Sequence, residues 1–113
     1  MAYYHELPVY KASYELLLGI FQFTKNFSKE YKYTVGESLK KETTALIITI
    51  YKTNATKEKN DLLQKAKEHI EVIHLLIRLM KDLKQINLKT FVQINEQIEN
   101  VSKQINGWQK SQK

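Results

Sequence analysis

At 113 residues the chain has room for one domain and one modest core, and its 18 Lys and Arg against 12 Asp and Glu leave a net charge of +6. With no cysteine, disulfides cannot supply missing stability. The N-terminal residues do not read as a secretion signal and no segment reaches the roughly 18 uninterrupted apolar residues of a membrane span, so the expectation is a cytoplasmic protein with no membrane role.

Four stretches place apolar residues three and four apart, the spacing of one helical stripe, and such a stripe is stable in water only when buried against another. The first helix is expected over about 8–26, opening at Pro8, whose missing N–H is no loss in a first turn. Tyr10, Tyr14, Leu17, Leu18 and Phe21 form one face, which Leu16, Ile20, Phe23 and Phe27 widen. So broad an apolar surface implies contact with more than one neighbour. A polar connection follows from Ser28 to Tyr33.

The second helix is expected over about 34–55. Thr34 and Glu37 have the spacing of a capping box. Gly36 costs about 1 kcal/mol of helix propensity relative to alanine, which points to close packing of another backbone. Leu39, Thr43, Leu46 and Ile50 form the stripe, broadened by Ile47, Ile48 and Tyr51. Its β-branched density suits a strand, but the segment is too long for one. The third helix, about 57–84, has Thr56 or Asn60 as cap and Leu62, Ala66, His69, Ile73, Leu76, Met80 and Leu83 as stripe. Gln85, Ile86 and Asn87 turn the chain. The fourth, about 88–109, is capped by Asn87 and carries Phe91, Ile94, Ile98, Val101, Ile105 and Trp108, ahead of a polar tail from Gln109.

Short connections make consecutive helices antiparallel. The expected fold is all-α, an up-down-up-down four-helix bundle in one domain. Because buried surface is scarce at this length, oligomerisation would help it.

Chemistry-bearing motifs are sparse. The phosphate-cradling and nucleophile-elbow glycine patterns are absent. His69 and His74 are five residues apart, which turns the rings to different faces, and Glu71 with His74 supplies only half of a di-iron helix motif. No enzyme activity, cofactor or metal is expected. The cations are another matter. All but Arg78 are lysine, a mobile point charge suited to phosphate rather than to bidentate reading of bases. Lys40, Lys41, Lys52, Lys57, Lys59, Lys65 and Lys67 cluster along the second helix and into the third, with Arg78, Lys81, Lys84 and Lys89 near the last turn. Contact with nucleic acid would be salt-sensitive and poor in sequence information. For any single lysine the simpler reading is a solvated helix face, in places paired as Glu37 is with Lys41. Tyr3, Tyr4, Tyr31, Tyr33 and Trp108 suit bundle ends or subunit contacts, and secondarily stacking on bases.

The runs Leu7-Pro8-Val9-Tyr10-Lys11, Tyr14-Glu15-Leu16-Leu17-Leu18 and Phe27-Ser28-Lys29-Glu30-Tyr31-Lys32-Tyr33-Thr34-Val35-Gly36 resemble the Avd-like four-helix-bundle family, the accessory variability determinants of diversity-generating retroelements. Ser28 stands where a proline is usual and Val35 where leucine is usual. A sister group, encoded in intervening sequences of 23S rRNA genes, usually ends its second helix on an Asn-Ile-Ala-Glu-Gly-like stretch, where this chain has Tyr51-Lys52-Thr53-Asn54-Ala55. The resemblance implies a ring-like homopentamer without catalytic activity that binds a reverse transcriptase and RNA or DNA through a basic surface. Lys29, Lys32, Lys40, Lys41, Arg78, Lys81 and Lys84 are the expected phosphate contacts. The alternatives are a protein of the 23S rRNA intervening-sequence type, or a self-associating module whose charge serves solubility.

Overall fold

The computed structural model describes residues 3–112; Met1, Ala2, Lys113 and the side chain of Tyr4 lie outside the described residues. A single turn of 3-10 helix, Tyr4–Glu6, precedes α1 (Pro8–Phe23), and another, Thr24–Asn26, follows it. The remaining elements are α2 (Lys29–Lys32), α3 (Val35–Ala55), α4 (Asn60–Asp82) and α5 (Leu88–Lys110). The four long helices alternate in direction, and each packs on two others: α1 on α3 and α5, and α4 on α3 and α5. The result is a four-helix bundle 43 × 22 × 21 Å, with no strand among the described residues.

Each long helix sends one row inward. On α4 the row is Leu63, Ala66, Ile70, Ile73, Ile77 and Met80; on α5 it is Ile94, Ile98, Val101 and Ile105. The expected α5 stripe is therefore the core, with Phe91 and Trp108 half-buried at its two ends. On α4 the expected stripe combines core positions with a half-buried edge: Leu62, His69 and Leu76 are only partly covered, and His69 meets Glu42 from α3.

Helix α1 reverses the expected face. Its buried residues are Val9, Ser13, Leu16 and Ile20, whereas Tyr14, Leu18 and Phe21 are 46%, 47% and 43% exposed. A helix apolar around most of its circumference leaves periodicity unable to choose an inward side. Between close-packed helices the interior takes aliphatic and small side chains, Tyr10 packs half-buried at its margin, and Tyr14, Leu18 and Phe21 are left outside.

Helix α3 tolerates its β-branched residues by satisfying them. The hydroxyls of Thr43, Thr49 and Thr53, all buried, donate to the carbonyls of Leu39, Ala45 and Thr49 at 2.7–2.8 Å. Each threonine thus returns its polar group to its own helix and shows the core a methyl. Gly36 is buried, and a Cβ there would lie 3.4 Å from the Tyr31 carbonyl oxygen and 3.6 Å from the Phe27 ring. The close backbone approach inferred from this glycine is real, and it comes from the α2 segment immediately before it.

Several helix ends differ from expectation. The link from Ser28 to Tyr33 is not all loop, since it contains α2. That turn alters the next start: the Thr34 hydroxyl donates back to the Glu30 carbonyl at 3.0 Å, and Glu37 pairs with Lys40, so no capping box forms. Unpaired carbonyls at the end of α2 compete successfully for the hydroxyl. Neither Thr56 nor Asn60 caps α4. The Thr56 hydroxyl donates to the Lys52 carbonyl, while the Lys59 ammonium donates to the Thr53 carbonyl at 3.0 Å and to that of Thr56, closing the C-terminus of α3. Asn87 does cap α5, its side-chain oxygen accepting from the Thr90 N–H at 2.8 Å. Helix α5 continues through Gly107 to Lys110, taking in the first residues of the expected tail.

Candidate nucleic-acid interface

The antiparallel order fixes which charges meet. The α1–α3 connection, with α2 in it, lies at the same end of the bundle as the α4–α5 turn, and the Ser28 N–H donates to Gln85 Oε1 at 2.8 Å across 57 residues of sequence. The Gln85 amide nitrogen in turn donates to the Leu83 carbonyl at 3.2 Å. One glutamine therefore fastens the two connections together. Lys25, Lys29, Lys32, Lys81, Lys84 and Lys89 lie on these connections and the adjoining helix ends, against Glu30, Glu37 and Asp82. The opposite end mixes Lys52, Lys57, Lys59 and Lys110 with Glu6, Glu58 and Asp61, and its Lys59 is held by backbone carbonyls. Of the two ends, the one carrying α2 has the greater positive excess.

Of the expected contacts, Lys29, Lys32, Lys81 and Lys84 share this end. Lys29 and Lys84 are exposed; the Lys32 ammonium lies 5.9 Å from the Tyr33 ring centroid and that of Lys81 lies 4.7 Å from the Phe91 ring centroid. The other three are not in the same group. Lys40 and Lys41 sit about one and a half turns along α3, roughly 7–9 Å from its start. Lys40 is engaged twice, in a 2.9 Å ion pair with Glu37 and over the Phe21 ring at 5.4 Å. Its bond and charge, with a smaller contribution from Lys41, hold the Glu37 carboxyl below its ordinary range. Lys41, assigned to Glu37 by spacing, is displaced in that role by Lys40. Arg78 lies one turn before the end of α4 and pairs with Asp82 at 3.5 Å.

Sequence reasoning missed Gln85, because no local signal tells which distant backbone group an amide will reach. It also missed Lys25, whose place at this end depends on where α1 stops. Tyr33, singled out as an aromatic, proves 65% exposed beside the basic residues.

Two other surface features bear on function. Tyr14, Leu18 and Phe21 of α1, with Ile48 and Tyr51 of α3, are exposed apolar residues, and Tyr10, Ile47, Ile48 and Tyr51 line a shallow depression between the two helices. A groove of about 750 Å³ lies between α1 and α5, and its lining includes the amides of Gln22, Asn26, Gln93, Gln97 and Asn100 and no cation. Among the described residues, no cluster of three or more His, Asp or Glu has the arrangement of a metal site. No helix is long and apolar enough to cross a membrane.

The family model described as bAvd-like matches residues 9–112, nearly the full length of the bundle. The chain belongs to the bAvd-like family. The match runs from the first buried residue of α1 past the end of α5, so it takes in all four long helices of this bAvd-like protein but for Pro8. No curated protein matches the chain.

Proposed function

We propose that this bAvd-like protein is a non-enzymatic accessory factor of a diversity-generating retroelement, acting in the cytoplasm as a scaffold for a reverse transcriptase and its RNA or DNA. The observation that supports this beyond family membership is the convergence of Lys29, Lys32, Lys81 and Lys84 on one end of the bundle. Lysine ammoniums there would neutralise phosphates and release counterions, an attraction largely indifferent to sequence. Lys40, Lys41 and Arg78 would extend this surface down α3 and α4. Their acidic partners make Lys40 and Arg78 weaker contributors.

Assembly into a ring-like homo-oligomer, a pentamer by family resemblance, is the second part of the reading. It is supported by the exposed face built from Tyr14, Leu18, Phe21, Ile48 and Tyr51. Contiguous apolar surface rimmed by polar residues is the usual mark of a protein contact. The same face supports the alternative of a purely self-associating module, so the nucleic-acid step is the one to test.

Binding of a labelled RNA and of an RNA–DNA hybrid is measured across a salt series. Affinity should fall steeply with salt, and replacing Lys29, Lys32 or Lys84 with Gln should lower the log–log slope by roughly 0.7–0.9 for each phosphate no longer neutralised. Lys57→Gln at the opposite end should leave it nearly unchanged. An absence of binding at low salt removes the nucleic-acid reading and leaves self-association, which sedimentation of the wild type against Leu18→Glu addresses separately.

A further inference from the structure

Among the described residues, only Lys84 has a positive φ, 62°. It follows the end of α4 in a Schellman turn: the Gln85 N–H donates to the Met80 carbonyl at 2.8 Å and the Lys84 N–H to the Lys81 carbonyl at 3.0 Å. That turn needs a left-handed residue and uses only backbone, so glycine serves it best and a lysine there is strained. The Lys84 side chain is exposed, and no hydrogen bond or ion pair holds its ammonium. Backbone strain of this kind is found where a side chain is wanted for another purpose. The next residue, Gln85, holds the N–H of Ser28, and Lys29 follows Ser28 directly. Lys84 and Lys29 are thus each the chain neighbour of a residue in one inter-loop hydrogen bond. At the far end of α2 the Tyr33 ring stands 65% exposed, with the Lys32 ammonium 5.9 Å from its centroid.

We propose that this clasp is a site for an unpaired stretch of nucleic acid, with phosphodiester oxygens held between Lys29 and Lys84 and a base stacked on Tyr33. The proposal rests on the nucleic-acid reading above and narrows it to single strands. A duplex hides the faces of its bases, which leaves a protruding ring without a partner, whereas an unpaired base offers a π-face to a ring already carrying a nearby cation. With lysine as the cation, the phosphates are gripped without a sequence code.

The test compares a labelled single-stranded oligo(U) of about 20 nucleotides, long enough to cover a site of this kind, with an RNA hairpin duplex of similar length. Tyr33→Leu should weaken the single strand roughly 5- to 100-fold with little effect on the duplex, and Tyr33→Phe should retain binding. Lys84→Gly should raise the melting temperature by about 5 °C while lowering single-strand affinity and the salt slope by roughly 0.7. Lys84→Arg should keep the affinity without gaining the stability. Wild-type affinity for oligo(U) in Tyr33→Leu, or a Lys84→Gly protein that is more stable yet binds as before, overturns the site. If both probes bind with steep salt dependence but the variants change nothing, the site falls and the basic-end reading stands. If neither probe binds at low salt, both fall together.

Discussion

The Nδ1 of His69 on α4 lies 2.6 Å from Oε1 of Glu42 on α3, a side-chain hydrogen bond between two long helices. Both side chains are about three-quarters covered, so the contact is shielded more than a surface pair without leaving water altogether. It joins α4 to α3 at the edge of the buried row, beside Ala66 and Ile70.

Because the pair is partly desolvated and links two helices, its members should be energetically coupled. His69→Ala and Glu42→Ala should each destabilise the bundle, and the double variant should be less unstable than the sum by about 1 kcal/mol. Denaturant melts of the four proteins measure this. Additive losses would mean that the contact contributes only packing.

Ser13 is fully buried on α1 and its hydroxyl has no hydrogen-bond partner. A buried polar group left unpaired is unfavourable, and alanine is the better helix former. Ser13→Ala should therefore stabilise the protein by about 1 kcal/mol, read as a rise in melting temperature. A fall would show that the hydroxyl is satisfied in solution by a group such as an ordered water.

The Glu37 carboxyl is held below its ordinary range, first by its hydrogen bond to Lys40, then by the charge of Lys40, with desolvation opposing and Lys41 adding a smaller pull. A depressed carboxyl stabilises the fold above its unfolded pKa, and that contribution disappears as pH falls through the folded value. Carboxyl-detected NMR should place the Glu37 midpoint below the ordinary value of 4.5 and move it upward in Lys40→Met. An unchanged midpoint in that variant would assign the shift to some other neighbour.

Helical periodicity made most of the fold legible. The α5 row from Ile94 to Ile105 and the Asn87 cap follow directly from spacing and residue type, because those signals are local. The inward face of α1 is not local: Leu16 and Ile20 are chosen over Leu18 and Phe21 only by the shapes that α3 and α5 present. Thr34 failed as a capping box for a related reason, since α2 exposes carbonyls its hydroxyl reaches first. The candidate site was legible as an excess of lysine and as a set of cations. Its concentration at one end depends on Gln85 reaching Ser28 and on where each helix stops, neither of which a charge count contains.

The interior of the bundle closes without Tyr14, Leu18, Phe21, Ile48 or Tyr51. A protomer whose core is sealed without that face could close before it meets a companion. Any joining of copies through that face would then be a second, separable event governed by mass action. The amount of protein present, more than its fold, would decide when a larger particle exists.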